Sequence, residues 1–341
     1  MRSNAYFLFV TTLFGIALAS SGDRSFEFGN CVELCTTKHC QGPSVSLPLA
    51  LRLTRWTCED DCKYSCMHEI TDRDVERGIR IQQYYGKWPF WRLAGVQEPA
   101  SVAFSLLNLW SHVHGAREIQ KRIPNAHPMK RFYLIGCVAS INAWIWSSVF
   151  HTRDLPTTEK LDYFSAALTI LYALYCTVVR LFHLYPKTYR SRVTLSSVSS
   201  TPHNASRVYT SWSLLCIIVY IVHVSYLTLL PRFDYTYNMA FNLIIGFSHN
   251  ALWLIYALPT SVVRRFPTQP KSYRPSFVGK AGVFVVLMTA ATTLELFDFP
   301  PWGRIIDAHS LWHLSTAPIA MLWYTFLIED ALDGSWREQR L

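Results

Sequence analysis

Long apolar blocks occupy positions 99–115, 132–150, 162–182, 209–230, 238–258, 281–297 and 309–328 of the chain. Several approach the ~20 residues a helix needs to cross the hydrocarbon of a bilayer. The pattern therefore predicts an all-α, polytopic membrane protein with seven transmembrane helices over 98–328 and a tail over 329–341. The first block is the poorest, broken by Ser105, Asn108, His112 and His114, and Gln97-Glu98-Pro99 marks its start. A shorter apolar run, Ala5–Ala19, follows Arg2 and gives way to small residues through Gly22. A basic start, a short apolar centre and small residues at its end predict a secretory signal peptide over 1–21.

The stretch 22–97 lacks such blocks and holds six of the nine cysteines: Cys31, Cys35, Cys40, Cys58, Cys62 and Cys66. Behind a signal peptide they predict a small disulfide-rich domain with up to three bridges, for which six cysteines allow about 15 pairings. The spacing Cys58-x3-Cys62-x3-Cys66 also suits zinc. The segment is too short to bury a large core, so bridges would stabilise it.

Half of the residues are hydrophobic (50%) and only 16% are charged, against about 25% in a soluble domain. The net charge of +9 is not gathered in one patch, which argues against a nucleic-acid partner; the basic residues sit between the apolar blocks. Loops after the first, third and fifth blocks carry fourteen Lys and Arg, among them Lys121, Arg131, Lys187, Arg190, Arg265 and Lys280, against four in the opposite loops. The positive-inside rule makes the richer side cytosolic. A cleaved signal puts residue 22 on the other side, so the two signals agree on a lumenal N-terminal domain and a cytosolic C-terminus. The sequon Asn204-Ala205-Ser206 then falls in a cytosolic loop and carries no glycan.

Ionisable side chains inside membrane spans are costly and mark function. His309 and His313 are four apart at the start of the last block, a spacing that puts two imidazoles on one helix face. Ser147 and His151 have the same spacing at the end of the second, and Asp162 opens the third. Alternating helix direction brings all three ends to the lumenal edge. Three histidines at one depth predict a Zn2+ site with an open fourth position, where water is activated. In that reading Asp162 orients the water or takes its proton, and Ser147 donates to the water or to a developing oxyanion. Two readings stay open beside it: packed, hydrogen-bonded histidines, and a Ser147 nucleophile with His151 as its base. Asp154, His223 and Asp307 could support the site or touch substrate.

The set Ser147-x3-His151, Asp162 and His309-x3-His313 resembles the signature of the CREST superfamily, which includes alkaline ceramidases and adiponectin-receptor-like proteins. Within it the chain is similar to the Per-one-like family of GPI phospholipases. That likeness is carried by Trp56–Cys66, Gly86-Lys-Trp-Pro-Phe90, Gln97-Glu-Pro-Ala-Ser101, Val149-Phe-His-Thr-Arg-Asp154, His223-Val-Ser-Tyr226 and Leu296-Phe-Asp-Phe-Pro-Pro301. The resemblance implies a zinc-dependent GPI-specific phospholipase A2 of the Golgi or endoplasmic reticulum membrane. It would act on GPI-anchored proteins, removing the sn-2 acyl chain to leave lyso-GPI. The alternatives are a ceramidase-like amidase, or a seven-helix receptor or chaperone whose histidines are structural.

Overall fold

The computed structural model of the protein describes residues 20–41, 47–185, 203–260 and 262–338, and every regular element among them is helical. Most of the expected signal peptide and basic loop residues Lys187, Arg190 and Arg192 lie outside these residues. So do the side chains of Asn204 to Ser206.

The N-terminal unit is a helix pair. Helix α1 (Phe26–His39) opens where Ser25 caps Phe28 N. A short α2 (Leu49–Leu53) follows, and α3 (Cys58–Glu76) starts from a capping box between Thr57 and Asp60. The cysteines of α1 and α3 recur at helical spacing, and the two helices pair them in reverse order: Cys31–Cys66, Cys35–Cys62 and Cys40–Cys58. That nesting requires antiparallel helices. It uses all six thiols, so no thiolate remains for the zinc alternative. Phe28, Ile70 and Tyr84 pack around the Cys66 end as a small core of their own.

Seven long helices follow: α4 (Pro99–Arg122), α5 (Lys130–Thr152), α6 (Pro156–Leu181), α7 (His203–Leu229), α8 (Tyr235–Ala257), α9 (Val278–Leu296) and α10 (Ala308–Leu332). All seven expected blocks are helical. Six of them, α5 to α10, are long and apolar enough to cross a membrane. Helix α4 is long enough, with 24 residues, but too polar. Its polar residues Ser101, Ser105, Asn108 and Ser111 are all buried, because α4 packs between α5 and α10. By contrast Ile217, Ile218, Ile221 and Val222 of α7 are exposed. Polar side chains inside and apolar ones outside suit a lipid surround, where backbone and buried polar groups must be satisfied internally. The chain is a multi-pass membrane protein.

Helix α10 is the central element: half of its apolar window (50%) is buried, against 11% in the peripheral α7. It runs to Leu332, past the expected end at 328, and carries the fully buried Asp330 in its last turn. That carboxylate takes two hydrogen bonds from Arg180 (2.8 and 2.6 Å) and one from Tyr256 (2.9 Å), closing the far end of the bundle. Helix α6 likewise begins earlier than expected. Pro156 at its first position needs no N–H partner, so Asp162 sits well within the helix rather than at its start.

Candidate metal centre

At the end of the bundle beside the disulfide-bonded unit, local capping fixes each functional side chain. Asp307 caps α10, accepting from Ser310 N at 2.8 Å while Ser310 Oγ accepts from Asp307 N at 3.0 Å. This box starts the helix at Ala308, which leaves His309 and His313 one turn apart on one face. His151 lies in the last turn of α5, where backbone carbonyls lack helical partners. Two are filled from the approach to α4: Glu98 N donates to His151 O and Gln97 N to Thr152 O, both at 3.0 Å. Glu98 is thereby pinned against His151.

The three imidazoles converge through the same atom. Nε2 of His309 stands 3.3 Å from Nε2 of His151 and 3.0 Å from Nε2 of His313. Each Nδ1 points outward to a partner: Glu98 Oε2 for His151 (2.8 Å), Glu295 Oε2 for His309 (2.6 Å) and Ser105 Oγ for His313 (2.9 Å). An ionised carboxylate only accepts, so Nδ1 of His151 and of His309 carries the proton. In the neutral rings Nε2 then offers a lone pair, and lone pairs crowded together repel unless a cation lies between them. Two nitrogens at ~2.0–2.1 Å from one tetrahedral ion stand about 3.3 Å apart. The spacing and the outward carboxylates both fit a divalent metal ion, for which such partners fix ring orientation and raise ligand basicity. Trp144 and Trp312 stand edge-on to His313, their ring centroids each 5.1 Å away, and make an apolar wall.

Ser147 enters this arrangement indirectly. Its Oγ lies 3.0 Å from Ser105 Oγ, which in turn holds His313. Asp162 is half-buried, with His309, Lys87, Glu295 and Glu98 within electrostatic reach. Asp154 is 3.2 Å from the Lys87 ammonium, and that ammonium also meets the second oxygen of Glu98. Burial disfavours charge on Lys87, but the Glu98 and Asp154 carboxylates outweigh it and raise its pKa. Two further expected residues have local partners. Asp307 is the helix cap, and His223 stacks on Phe241 and Tyr237 between α7 and α8.

Glu98, Ser105, Lys87 and Glu295 complete the arrangement without being among the candidate site residues of the sequence. One signal was available. Ser101, Ser105, Asn108 and His112 recur at helical spacing in the weakest block, as a polar stripe facing the interior would.

The Per1-like family matches residues 48–331. A "GPI-specific phospholipase A2-like PGAP3" of Xenopus laevis is 37% identical over 95% of this chain and 94% of its own length. A "Protein PER1 homolog" of Schizosaccharomyces pombe is 38% identical over 95% and 91%. A "Post-GPI attachment to proteins factor 3" of Drosophila melanogaster is 37% identical over 94% and 92%.

Proposed function

The chain belongs to the Per1-like family, and on that footing we propose that it is a metal-dependent lipid hydrolase that remodels GPI anchors. The bond cleaved is the sn-2 acyl ester of the anchor on a GPI-anchored protein, and the product is lyso-GPI. The names of its relatives support the substrate. The observation that carries the chemistry is the convergence of His151, His309 and His313 through Nε2, each with its Nδ1 engaged.

His151, His309 and His313 would hold Zn2+. When bound there, zinc supplies a Lewis acid that brings the pKa of water near ~7 and polarises an ester carbonyl. Glu98 and Glu295 keep two of the rings in the tautomer that presents Nε2. Asp162, within electrostatic reach of His309, would accept a proton from an attacking water. Ser105 orients His313 and joins it to Ser147, whose hydroxyl stabilises negative charge developing on the ester oxygen. Ser147 as nucleophile has less support, since Nδ1 of His151 is bonded to Glu98 and its Nε2 faces His309, while Ser147 bonds Ser105.

We place this centre at the lumenal face of a Golgi or endoplasmic reticulum membrane, where an anchor ester meets water. The test uses purified wild type and His309→Ala, assayed for bound zinc and for acyl release from GPI and from ceramide. Expected are zinc in the wild type, ester cleavage of GPI alone, and loss of both zinc and activity in the variant. Full activity in metal-stripped wild type would overturn the mechanism, and cleavage of ceramide in preference to GPI would overturn the substrate.

A further inference from the structure

A side chain that follows the disulfide-bonded unit links it to the histidine cluster. Tyr84 packs on Phe28 with ring centroids 5.0 Å apart, inside the small core that contains the Cys31–Cys66 bridge. Tyr84 also exchanges backbone hydrogen bonds with Lys87: Tyr84 N donates to Lys87 O at 2.8 Å, and Lys87 N to Tyr84 O at 3.0 Å. The intervening Tyr85 and Gly86 both take positive φ, 52° and 79°. The tight turn they form aims Lys87 back at the bundle. Its ammonium then meets Glu98 Oε1, stands 3.2 Å from Asp154 and lies 4.1 Å above the ring of Phe150. Glu98 uses its other oxygen on Nδ1 of His151.

We infer that Lys87 is a positioning residue for the metal centre, and that anchoring it is a task of the disulfide-bonded unit. The inference rests on the metal reading above. A carboxylate buried beside an imidazole can rotate, or share its proton. Lys87 opposes both, since it occupies one oxygen and leaves the other facing His151 as an anionic acceptor. A surface ion pair would contribute little. This one is largely shielded and shares the buried Glu98, which is 4% exposed, so its loss leaves Glu98 with a single partner. Such outer partners change metal affinity by about 10–100-fold.

The experiment takes the full chain in detergent as wild type, Lys87→Met and Lys87→Arg. It measures zinc affinity by chelator competition and the melting temperature of the zinc-free protein. Lys87→Met should bind zinc roughly 10–100-fold more weakly, with the zinc-free melt shifted by only a few degrees. Lys87→Arg, which keeps the charge, should recover most of the affinity. If Lys87→Met does not fold, Lys87→Gln tests the same point, since it retains a donor to Glu98 and loses the charge. Wild-type affinity in Lys87→Met or Lys87→Gln overturns the inference. So does a loss of affinity that only follows a large fall in the zinc-free melt. A wild type that binds no zinc sinks the metal reading itself, which separates the two failures.

Discussion

Glu295, near the end of α9, holds Nδ1 of His309, at the start of α10, across 2.6 Å. The two residues belong to different helices, so the orientation of this ring depends on how α9 and α10 pack. Glu295→Gln keeps an acceptor but removes the charge. Zinc affinity should fall about tenfold, at the low end for outer partners, as read by chelator competition. Unchanged affinity would show that the carboxylate does not support the ring.

Ser105 and Ser147 should separate by what each loses. Ser105→Ala removes the partner of His313 Nδ1 and the link to Ser147 together. Zinc affinity and turnover should both drop, by about tenfold or more. Ser147→Ala leaves the His313 partner in place, so zinc content should stay at the wild-type level. Turnover should slow by roughly 10²–10³, the range for a lost oxyanion donor. Zinc loss in Ser147→Ala would contradict the assigned role.

Helices α4 and α10 approach closely at Gly115, where an added Cβ would stand 2.2 Å from the Tyr324 ring. Tyr324 cannot simply swing away, because its hydroxyl bonds Nδ1 of His112 at 2.6 Å. Gly115→Ala should cost about 1–3 kcal/mol by overpacking and lower the melting temperature. Gly115 is about 15 Å along the helix from Ser105, so stoichiometric zinc should be retained. A Gly115→Ala protein as stable as wild type would show that the helices separate freely.

Acid should loosen the contact between the disulfide-bonded unit and the approach to α10. His68 is stacked on Trp91 with centroids 3.9 Å apart. It donates from Nε2 to Phe90 O at 3.1 Å and accepts at Nδ1 from Arg304 at 3.1 Å. Burial lowers its pKa to about 4 against the opposing hydrogen bond to Phe90 O, with the charges of Arg304 and Arg92 assisting and Asp72 opposing. The unfolded chain binds this proton below its ordinary pKa of about 6.5, while the folded chain resists it down to about 4. Stability is therefore whole above pH 6.5 and falls as pH drops through that window, by about 2 kcal/mol at pH 5. Melts at pH 7 and pH 5 should show this slope in wild type and lose it in His68→Phe. Equal slopes in the two proteins would exclude His68 as the cause.

The bundle was legible because long apolar blocks have few alternatives in a membrane, and all seven are helical. His151, His309 and His313 were legible because their spacing and helix polarity put them at one level. Their partners were not, for a physical reason. Glu98 acts on a residue 53 positions away and Ser105 on one 208 away, and a carboxylate before a proline or a serine in a poor span has no local mark of that pairing. The disulfide order was also hidden until α1 and α3 were known to run antiparallel. Asp162 shows the reverse error: it lies inside α6 because a proline further back can begin the helix.

Helix α10 is the last long element among the described residues, yet it brings two of the three imidazoles and the capping box that sets them. Chains emerge N-terminus first, so α1 through α9 can all be in place while the cluster still lacks two of its imidazoles. Arrival of α10 both fills the middle of the bundle and completes the cluster. A chain stopped short of residue 309 would therefore keep most of the bundle's helices and hold His151 alone of the three converging imidazoles.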